Sequence, residues 1–238
     1  VGQIRLKNSL IDAVREKRVP HAQLFSGAQG SGTFALALAY AQFISCTNRR
    51  YYENTGENEL HGDSCGKCPS CLKYSKLSHP DLHFIFPNTT TKKVDKNNES
   101  ALFMEDFRAF ALEKDGYIDI NSWLEYLKVD NKQGEINVRD AASIVRELTM
   151  TTYESPYKIM IIWNADRLRH DVAPKLLKIL EEPYDGTIFL LITENTEAIL
   201  PTILSRTQLV KVLPTDETDI ERFLIEKKQF EPEKAAIT

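Results

Sequence analysis

At 238 residues the chain is long enough for one α/β domain of ordinary size with a small appendage. Its 42% hydrophobic and 27% charged residues suit a globular protein in water, and no apolar run nears the roughly 20 residues that span a bilayer. A formal charge of −4 excludes a strongly basic protein that coats nucleic acid on charge alone. The sequence opens on Val1 without a signal-peptide pattern, so the expectation is a cytoplasmic protein with no membrane contact. Such a compartment favours metal ligation over disulfides for its four cysteines.

Apolar residues at Ile4, Leu6, Leu10, Ile11 and Val14 keep a helical rhythm, and Pro20 closes that segment. Residues 22–26 predict a short strand running into Gly27, Gly30 and Gly32; residues 34–44, rich in Ala and Leu, predict a buried helix. Strand, glycine loop and helix are the start of a phosphate-binding α/β unit. A cysteine segment over 46–80 interrupts the alternation, and residues 81–86 form a strand that Pro87 stops. The polar stretch 88–100 predicts a solvent-exposed excursion. Residues 103–112 and 119–127 predict two short amphipathic helices, the second capped by Asp119 or Asn121. Residues 88–135 are therefore expected to be an insertion packed on the side of the core.

The alternation resumes with a helix over 138–150 and a strand over 158–163 too apolar to have a wet face. A helix over 176–182 ends at Pro183, and residues 187–193 and 209–213 predict two further fully buried strands. Continuous apolar strands separated by helices indicate a parallel sheet covered on both faces. Pro214 marks a boundary, after which residues 215–228 predict a helix of a new unit. The expected organisation is an α/β domain over 1–213, with a cysteine module at 46–80 and the insertion at about 88–135. Residues 214–238 begin a small helical domain.

A working P-loop reads G-x-x-x-x-G-K-[ST]; its Lys reaches the β and γ phosphates and its hydroxyl holds Mg²⁺. Here Gly27, Gly30 and Gly32 keep the frame, but Thr33 stands where Lys belongs and Phe34 replaces the hydroxyl residue. The loop alone is equally compatible with a glycine-rich turn unrelated to nucleotide. The strand over 158–163 decides. In a P-loop ATPase it ends in two carboxylates, one acting through Mg²⁺ and one polarising the attacking water. Trp163 and Asn164 occupy those positions, and Asp166 lies beyond the strand, where it is expected to cap the next helix. Loss of all four groups together predicts a P-loop fold with no functional ATP binding.

Cys46, Cys65, Cys68 and Cys71 give C-x18-C-x2-C-x2-C. A C-x-x-C pair sets two thiolates on one side of a tight turn, as tetrahedral Zn²⁺ requires; the third follows at a helix start and the fourth ends the preceding helix. The alternatives are free thiols, a redox pair, or His61 replacing one ligand. His21, His79, His83 and His170 are expected to be surface or capping residues. Further along, Glu181 and Glu182 end a helix whose dipole they oppose. Arg206 follows a short proline-started helix just before a strand, a place from which a guanidinium projects outward. Its chemistry alone allows either a surface ion pair or a finger offered to a neighbour's γ-phosphate.

Val1-Gly2-Gln3, His21-Ala22, the glycine loop, the four cysteines, His79-Pro80-Asp81, residues 176–183 ending in Glu181-Glu182-Pro183, and Ser205-Arg206-Thr207 occur in this order. In them the sequence resembles the delta-prime family of bacterial DNA polymerase III clamp-loader subunits, which are AAA+ proteins. The resemblance covers residues 1 to about 86 and 136–238. It implies a non-hydrolysing stator in a five-subunit ring, with gamma/tau ATPase subunits and a delta subunit as partners, placing a sliding clamp on primer-template DNA. It further implies an arginine finger at Arg206, zinc on the four cysteines, a DNA-phosphate contact at Arg139, a lid domain begun at 214–238 and a helical collar domain beyond it. Two readings from other classes stand beside it. One is an ATPase with an unorthodox site using Asp166 or Glu194; the other is a zinc-containing DNA-binding module unconnected with ATP.

Overall fold

The structure, a computed structural model, describes residues 2–53, 56, 59–94, 96–129 and 133–229. In chain order the elements are α1 (Ile4–Arg15), β1 (Ala22–Ser26), α2 (Thr33–Ser45), β2 (Arg50–Tyr51), β3 (Gly62–Asp63), α3 (Pro69–Tyr74) and β4 (Leu82–Ile85). There follow α4 (Met104–Glu113), α5 (Ile120–Tyr126), α6 (Val138–Thr149), β5 (Lys158–Ile162) and α7 (Ala173–Glu181). The last are β6 (Thr187–Thr193), α8 (Pro201–Leu204), β7 (Gln208–Lys211) and α9 (Glu217–Lys228). The predicted helix over 215–228 is α9; residues 230–238 of the expected lid lie outside the described residues.

Five strands form one parallel sheet in the order β4-β5-β6-β1-β7, and β2 and β3 form a separate antiparallel pair. This is the parallel sheet covered by helices on both faces that the sequence predicts, with the glycine loop leaving the C-terminal end of an interior strand, β1. Why the strands read as unbroken apolar runs is visible in how they share their side chains between two cores. Ile159 and Ile161 of β5, with Ile188, Leu190 and Ile192 of β6, enter one cluster with Phe34, Phe84 and Trp163. Met160 and Ile162, with Phe189 and Leu191, enter the other with Ile144, Leu176 and Leu180 of the helices opposite. Successive strand residues point to opposite faces, so a sheet covered twice needs apolar residues at every position. Each fully buried Ile or Leu contributes about 1.5–3 kcal/mol.

Three expectations are corrected. The strand expected at 209–213 is not fully buried: β7 is an edge that pairs with β1, and Leu209 is 54% exposed. An edge strand has no neighbour to cover its outer side chains, which its apolar composition does not reveal. The polar stretch 88–100 is not wholly a solvent excursion. Asn88, Ser100 and the Asp140 carboxylate of α6 are buried together: Ser100 N–H donates to Asp140 Oδ1 at 2.7 Å and Asn88 Nδ2 to Asp140 Oδ2 at 3.0 Å. Polar groups that satisfy one another in this way tolerate burial.

The third correction concerns the insertion at 88–135. Its helices α4 and α5 do not sit beside the core but complete it. Phe107, Phe110 and Trp123 are buried in the same cluster as the sheet face. Phe107 stacks on Phe86 with ring centroids 4.0 Å apart and stands edge-on to Phe34 at 5.9 Å; Trp123 stands edge-on to Phe107 at 5.5 Å. The Trp123 indole N–H donates to the Pro87 carbonyl at 2.8 Å, which satisfies its one polar atom. Asp119 caps α5 as expected, accepting the N–H groups of Asn121 and Ser122, each at 3.0 Å.

Candidate functional site

The loop between β1 and α2 is a tight glycine turn with Thr33 and Phe34 where a P-loop carries Lys and a hydroxyl residue. The Gly27 N–H is held by the Thr193 carbonyl at 3.2 Å, and the loop turns so tightly that a Cβ on Gly27 would stand 2.5 Å from Ser31 Oγ and 2.6 Å from Thr33 Oγ1. The Thr33 hydroxyl is shared with Ser31 Oγ at 2.7 Å and carries no positive charge for a phosphate. Phe34, in the place of the Mg²⁺-holding hydroxyl, is buried against Phe107 and against Trp163, its ring 6.4 Å from the indole. The sequence thus replaces two polar functions, one on α2 and one at the end of β5, by two aromatic rings packed on each other. Asn164, at the second carboxylate position, is buried in the left-handed region (φ 52°), and its Oδ1 has no hydrogen-bond partner among the described residues.

What remains is a cavity of about 140 Å³. Gly30, Gly32, Thr33, Phe34, Trp163 and Asn164 line it together with Glu194 and, from the insertion, Tyr117 and Asp119. Small-molecule sites usually measure about 300–1,000 Å³. The charged residues lining this one, Asp119 and Glu194, are both acidic. Burial, then the charges of Asp166 and Asp119, push the Glu194 carboxyl above its ordinary range. Asp166 does not cap α7. It sits in a 3-10 turn (Ala165–Arg167) and accepts the Thr193 hydroxyl at 2.8 Å, because the turn directs it at the end of β6 instead of the next helix.

The four cysteines come together. Their sulfurs all lie within 4.8 Å of one another, and Cys65 Sγ is 3.9 Å from Cys71 Sγ. Zn–S bonds of about 2.3 Å in a tetrahedron place sulfurs roughly 3.8 Å apart, so the cluster fits such an ion. Cys46 ends α2, Cys68 is the N-cap of α3, and Cys71 lies in that helix's first turn. Backbone N–H groups point at the sulfurs: Cys65 to Cys46 Sγ at 3.3 Å, Cys68 to Cys65 Sγ at 3.3 Å and Cys71 to Cys68 Sγ at 3.4 Å. Against the cost of burial, the Cys71 N–H and Thr47 bring the Cys68 thiol down to about 6, whereas burial pushes the Cys46 and Cys71 thiols up. His61 is not part of the cluster; its Nδ1 lies 2.9 Å from the Asp12 carboxylate of α1 and ties the module to the main domain. Among the other histidines, His79 is buried, its Nδ1 accepting the Asp81 N–H at 3.1 Å, while His83 faces Glu147 at 3.5 Å.

Arg206 stands just past α8. Its Nη1 donates to the Thr202 carbonyl at 2.9 Å and its Nη2 pairs with Glu181, the last residue of α7. Arg139, in the exposed first turn of α6, donates to Asn97 Oδ1 at 2.8 Å, so the 88–100 stretch holds it. Asn137 caps that helix with Asp140 in a reciprocal capping box.

With the loop, the cysteine cluster and the arginine placed, relatives decide the family. Residues 2–216 match the family described as DNA polymerase III, delta subunit. The chain belongs to this family. DNA polymerase III subunit delta' of Bacillus subtilis is 28% identical over 225 residues, 94% of this chain and 52% of that protein. Subunit delta' of Haemophilus influenzae is 26% identical over 203 residues, 84% and 45% of the two chains. Subunit gamma/tau of Mycoplasma pneumoniae is 25% identical over 212 residues, 87% and 22%. The chain spans about half the length, or less, of the curated relatives it matches. The structure of a RuvB mutant from Thermotoga maritima aligns over 99% of this chain and 55% of its own, at 11% identity and a TM-score of 0.48. No helix among the described residues is long and apolar enough to cross a membrane.

Two features of this delta-family chain escaped sequence reasoning. Tyr117 and its neighbours at the cavity carry no motif; the only signal is a turn at Asp115-Gly116. The partnership of Glu181 with Arg206 was half legible, since two acidic residues at a helix C-terminus need a partner elsewhere.

Proposed function

We propose that the chain is a non-hydrolysing stator subunit of the DNA polymerase III clamp loader, helping place the sliding clamp on primed DNA. The observation that carries this reading is the joint loss of both halves of the ATP site. Thr33 and Phe34 replace the phosphate and Mg²⁺ groups, Trp163 and Asn164 replace the carboxylates, and the cavity left is small and acidic. Without charge to hold phosphate and without a cation site, the chain has no route to polarise water against a γ-phosphate. Its matches to delta' and gamma/tau subunits support a place in the same assembly.

Its contribution to catalysis is then made in trans. Arg206 is half exposed at the end of α8, within reach of a neighbour, and a guanidinium there stabilises charge on a transferring phosphoryl group. The neighbours are gamma/tau ATPase subunits and a delta subunit, in the cytoplasm and without a membrane. Arg139, exposed at the N-terminal turn of α6, is the candidate contact to DNA phosphate. Cys46, Cys65, Cys68 and Cys71 would hold a structural Zn²⁺, which cross-links α2, the turn at 65–68 and α3. Residues 1–213 are the AAA+ domain, with the zinc module at 46–80 and the insertion at about 88–135, and residues 214–238 begin a helical lid domain.

The test is equilibrium binding of a fluorescent ATP analogue, with Mg²⁺, to the full-length subunit. Absence of saturable binding is expected. Micromolar, Mg²⁺-dependent binding with turnover would instead favour the unorthodox ATPase, with Glu194 at the cavity as its carboxylate.

A further inference from the structure

Among the described residues, the part of the insertion that meets the phosphate loop is a short link between α4 and α5. It leaves α4 through a turn in which the Gly116 N–H donates to the Ala111 carbonyl and the Tyr117 N–H to the Lys114 carbonyl, each at 2.9 Å. Gly116 takes φ +77° and passes so close to α2 that a Cβ on it would lie 3.2 Å from Ala35 Cβ. Tyr117 then lays its ring on the loop glycine: a Cβ at Gly32 would stand 3.0 Å from Tyr117 Cε1. The link ends at Asp119, which lines the cavity and whose carboxylate caps α5.

We propose that Gly116–Asp119 is an intramolecular plug, seated against the N-terminus of α2 where a nucleotide's phosphates would approach, and holding the loop in place of a bound ligand. The N-terminus of a helix with a glycine loop is an anion site whose donors need either an anion or cover. Here the chain itself supplies part of that cover, Tyr117 over Gly32 and Gly116 against Ala35, while Ala28, Gln29 and Gly30 stay exposed. The plug is anchored at both ends, because Phe107 of α4 packs on Phe34 and Trp163, and Trp123 of α5 packs in turn on Phe107 and Phe86. It is also of the wrong sign for phosphate, since Asp119 joins Glu194 at the cavity wall. The inference deepens the stator reading and rests on it. A subunit that uses no nucleotide still needs its loop ordered, and the insertion supplies that order permanently.

Hydrogen exchange at the amides of residues 31–34, which the link adjoins, tests this in the full-length chain, with Mg-ADP as the nucleotide probe. The wild-type loop is expected to exchange slowly without nucleotide and not to change with millimolar Mg-ADP. Tyr117→Ala, which removes a ring 41% exposed, should speed loop exchange roughly tenfold while β5 and β6 keep their protection. Tyr117→Phe should behave as wild type. If Tyr117→Ala loosens the sheet as well, the wild-type measurement decides by itself. Wild-type loop amides that exchange as an open loop overturn the plug and leave the stator reading intact. So does a loop unmoved by Tyr117→Ala. Loop protection gained on adding Mg-ADP overturns both.

Discussion

Arg206 is paired within its own chain: its Nη2 rests on the carboxylate of Glu181, which closes α7. The two side chains are 34% and 48% exposed, so the pair is a surface one, worth about 0–1 kcal/mol. It orients the guanidinium without trapping it. Glu181 also opposes the dipole of α7, and the arginine compensates that unfavourable placement.

This sets apart two variants of the full-length subunit in a reconstituted complex. Arg206→Ala should lower single-turnover hydrolysis at the adjoining ATPase site by ~10³-fold or more, the usual worth of an arginine finger. Glu181→Gln should change that rate by only a few-fold, because a pair worth so little restrains little. Unchanged hydrolysis in Arg206→Ala, with assembly intact, would return the residue to the ordinary surface ion pairs.

Zinc makes the second prediction. The cysteine module is tied to α1 through Asn8, which exchanges hydrogen bonds with Glu59 and His61, each at 2.9 Å, and through the His61–Asp12 contact. Tyr74 and Leu77 bury the end of the module in the main core, whereas the contacts of Glu59 and His61 are polar and partly exposed, so the ion is expected to stabilise the part nearest the cysteines. Purified protein should contain about one zinc per chain. Cys71→Ser or chelation should release the ion and make residues 46–80 protease-sensitive while the parallel sheet stays folded. Zinc-free protein with an equally resistant module would count against the metal.

What was legible in the sequence depended on how far apart the deciding residues lie. The cysteines, the glycine loop and the apolar runs of β5 and β6 are set by local spacing, so pattern alone finds them. The burial of Asn88 and Ser100 depends on Asp140, separated by 52 and 40 residues, and no local rule brings those partners together. β7 looked like its neighbours because an edge differs from a central strand in what stands beside it, not in its own residues. The insertion was misplaced for the same reason. Phe107, Phe110 and Trp123 show an amphipathic face, but only the fold says that this face is the sheet's missing cover.

That misplacement yields a stability prediction. A side appendage would tolerate truncation, whereas Phe107 is fully buried among Phe34, Phe84, Phe86, Trp123 and Trp163. Phe107→Ala should cost about 3–5 kcal/mol, a large share of a domain's ~5–15 kcal/mol. Urea unfolding measures it, and a loss below ~1 kcal/mol would restore the appendage view.

Acid sensitivity should trace in part to Asp81. Its buried carboxylate accepts the N–H groups of Tyr153 at 2.6 Å and of Glu154 and Ser155 at 2.8 Å. Burial alone would raise its pKa, but these donors hold it below the ordinary value. A carboxyl depressed in the folded state stabilises above its unfolded value near ~4 and loses that contribution as pH falls through the lower folded value. Asp81→Asn should therefore be less stable by roughly 1–3 kcal/mol at pH 7, with the gap to wild type narrowing below about pH 4. A gap that is constant from neutral pH down to about 3 would mean that the charge is not what matters.

The last prediction concerns repair of the loop. Thr33→Lys restores the residue that a P-loop uses for the β and γ phosphates, yet it should not restore binding. The hydroxyl position is still Phe34, locked into the aromatic core; Mg²⁺ still finds Trp163 and Asn164 where carboxylates belong; and the charged residues lining the cavity are still Asp119 and Glu194. Calorimetric titration with Mg-ATP measures any occupant of the cavity directly. The dissociation constant for Mg-ATP should stay above about 1 mM, a binding free energy weaker than roughly −4 kcal/mol. Adding Tyr117→Ala opens the mouth without supplying a metal site, so it should make the loop more mobile and still leave nucleotide unbound. Micromolar affinity in Thr33→Lys alone would mean that one missing charge, and not the joint loss of four groups, keeps this chain from its ligand.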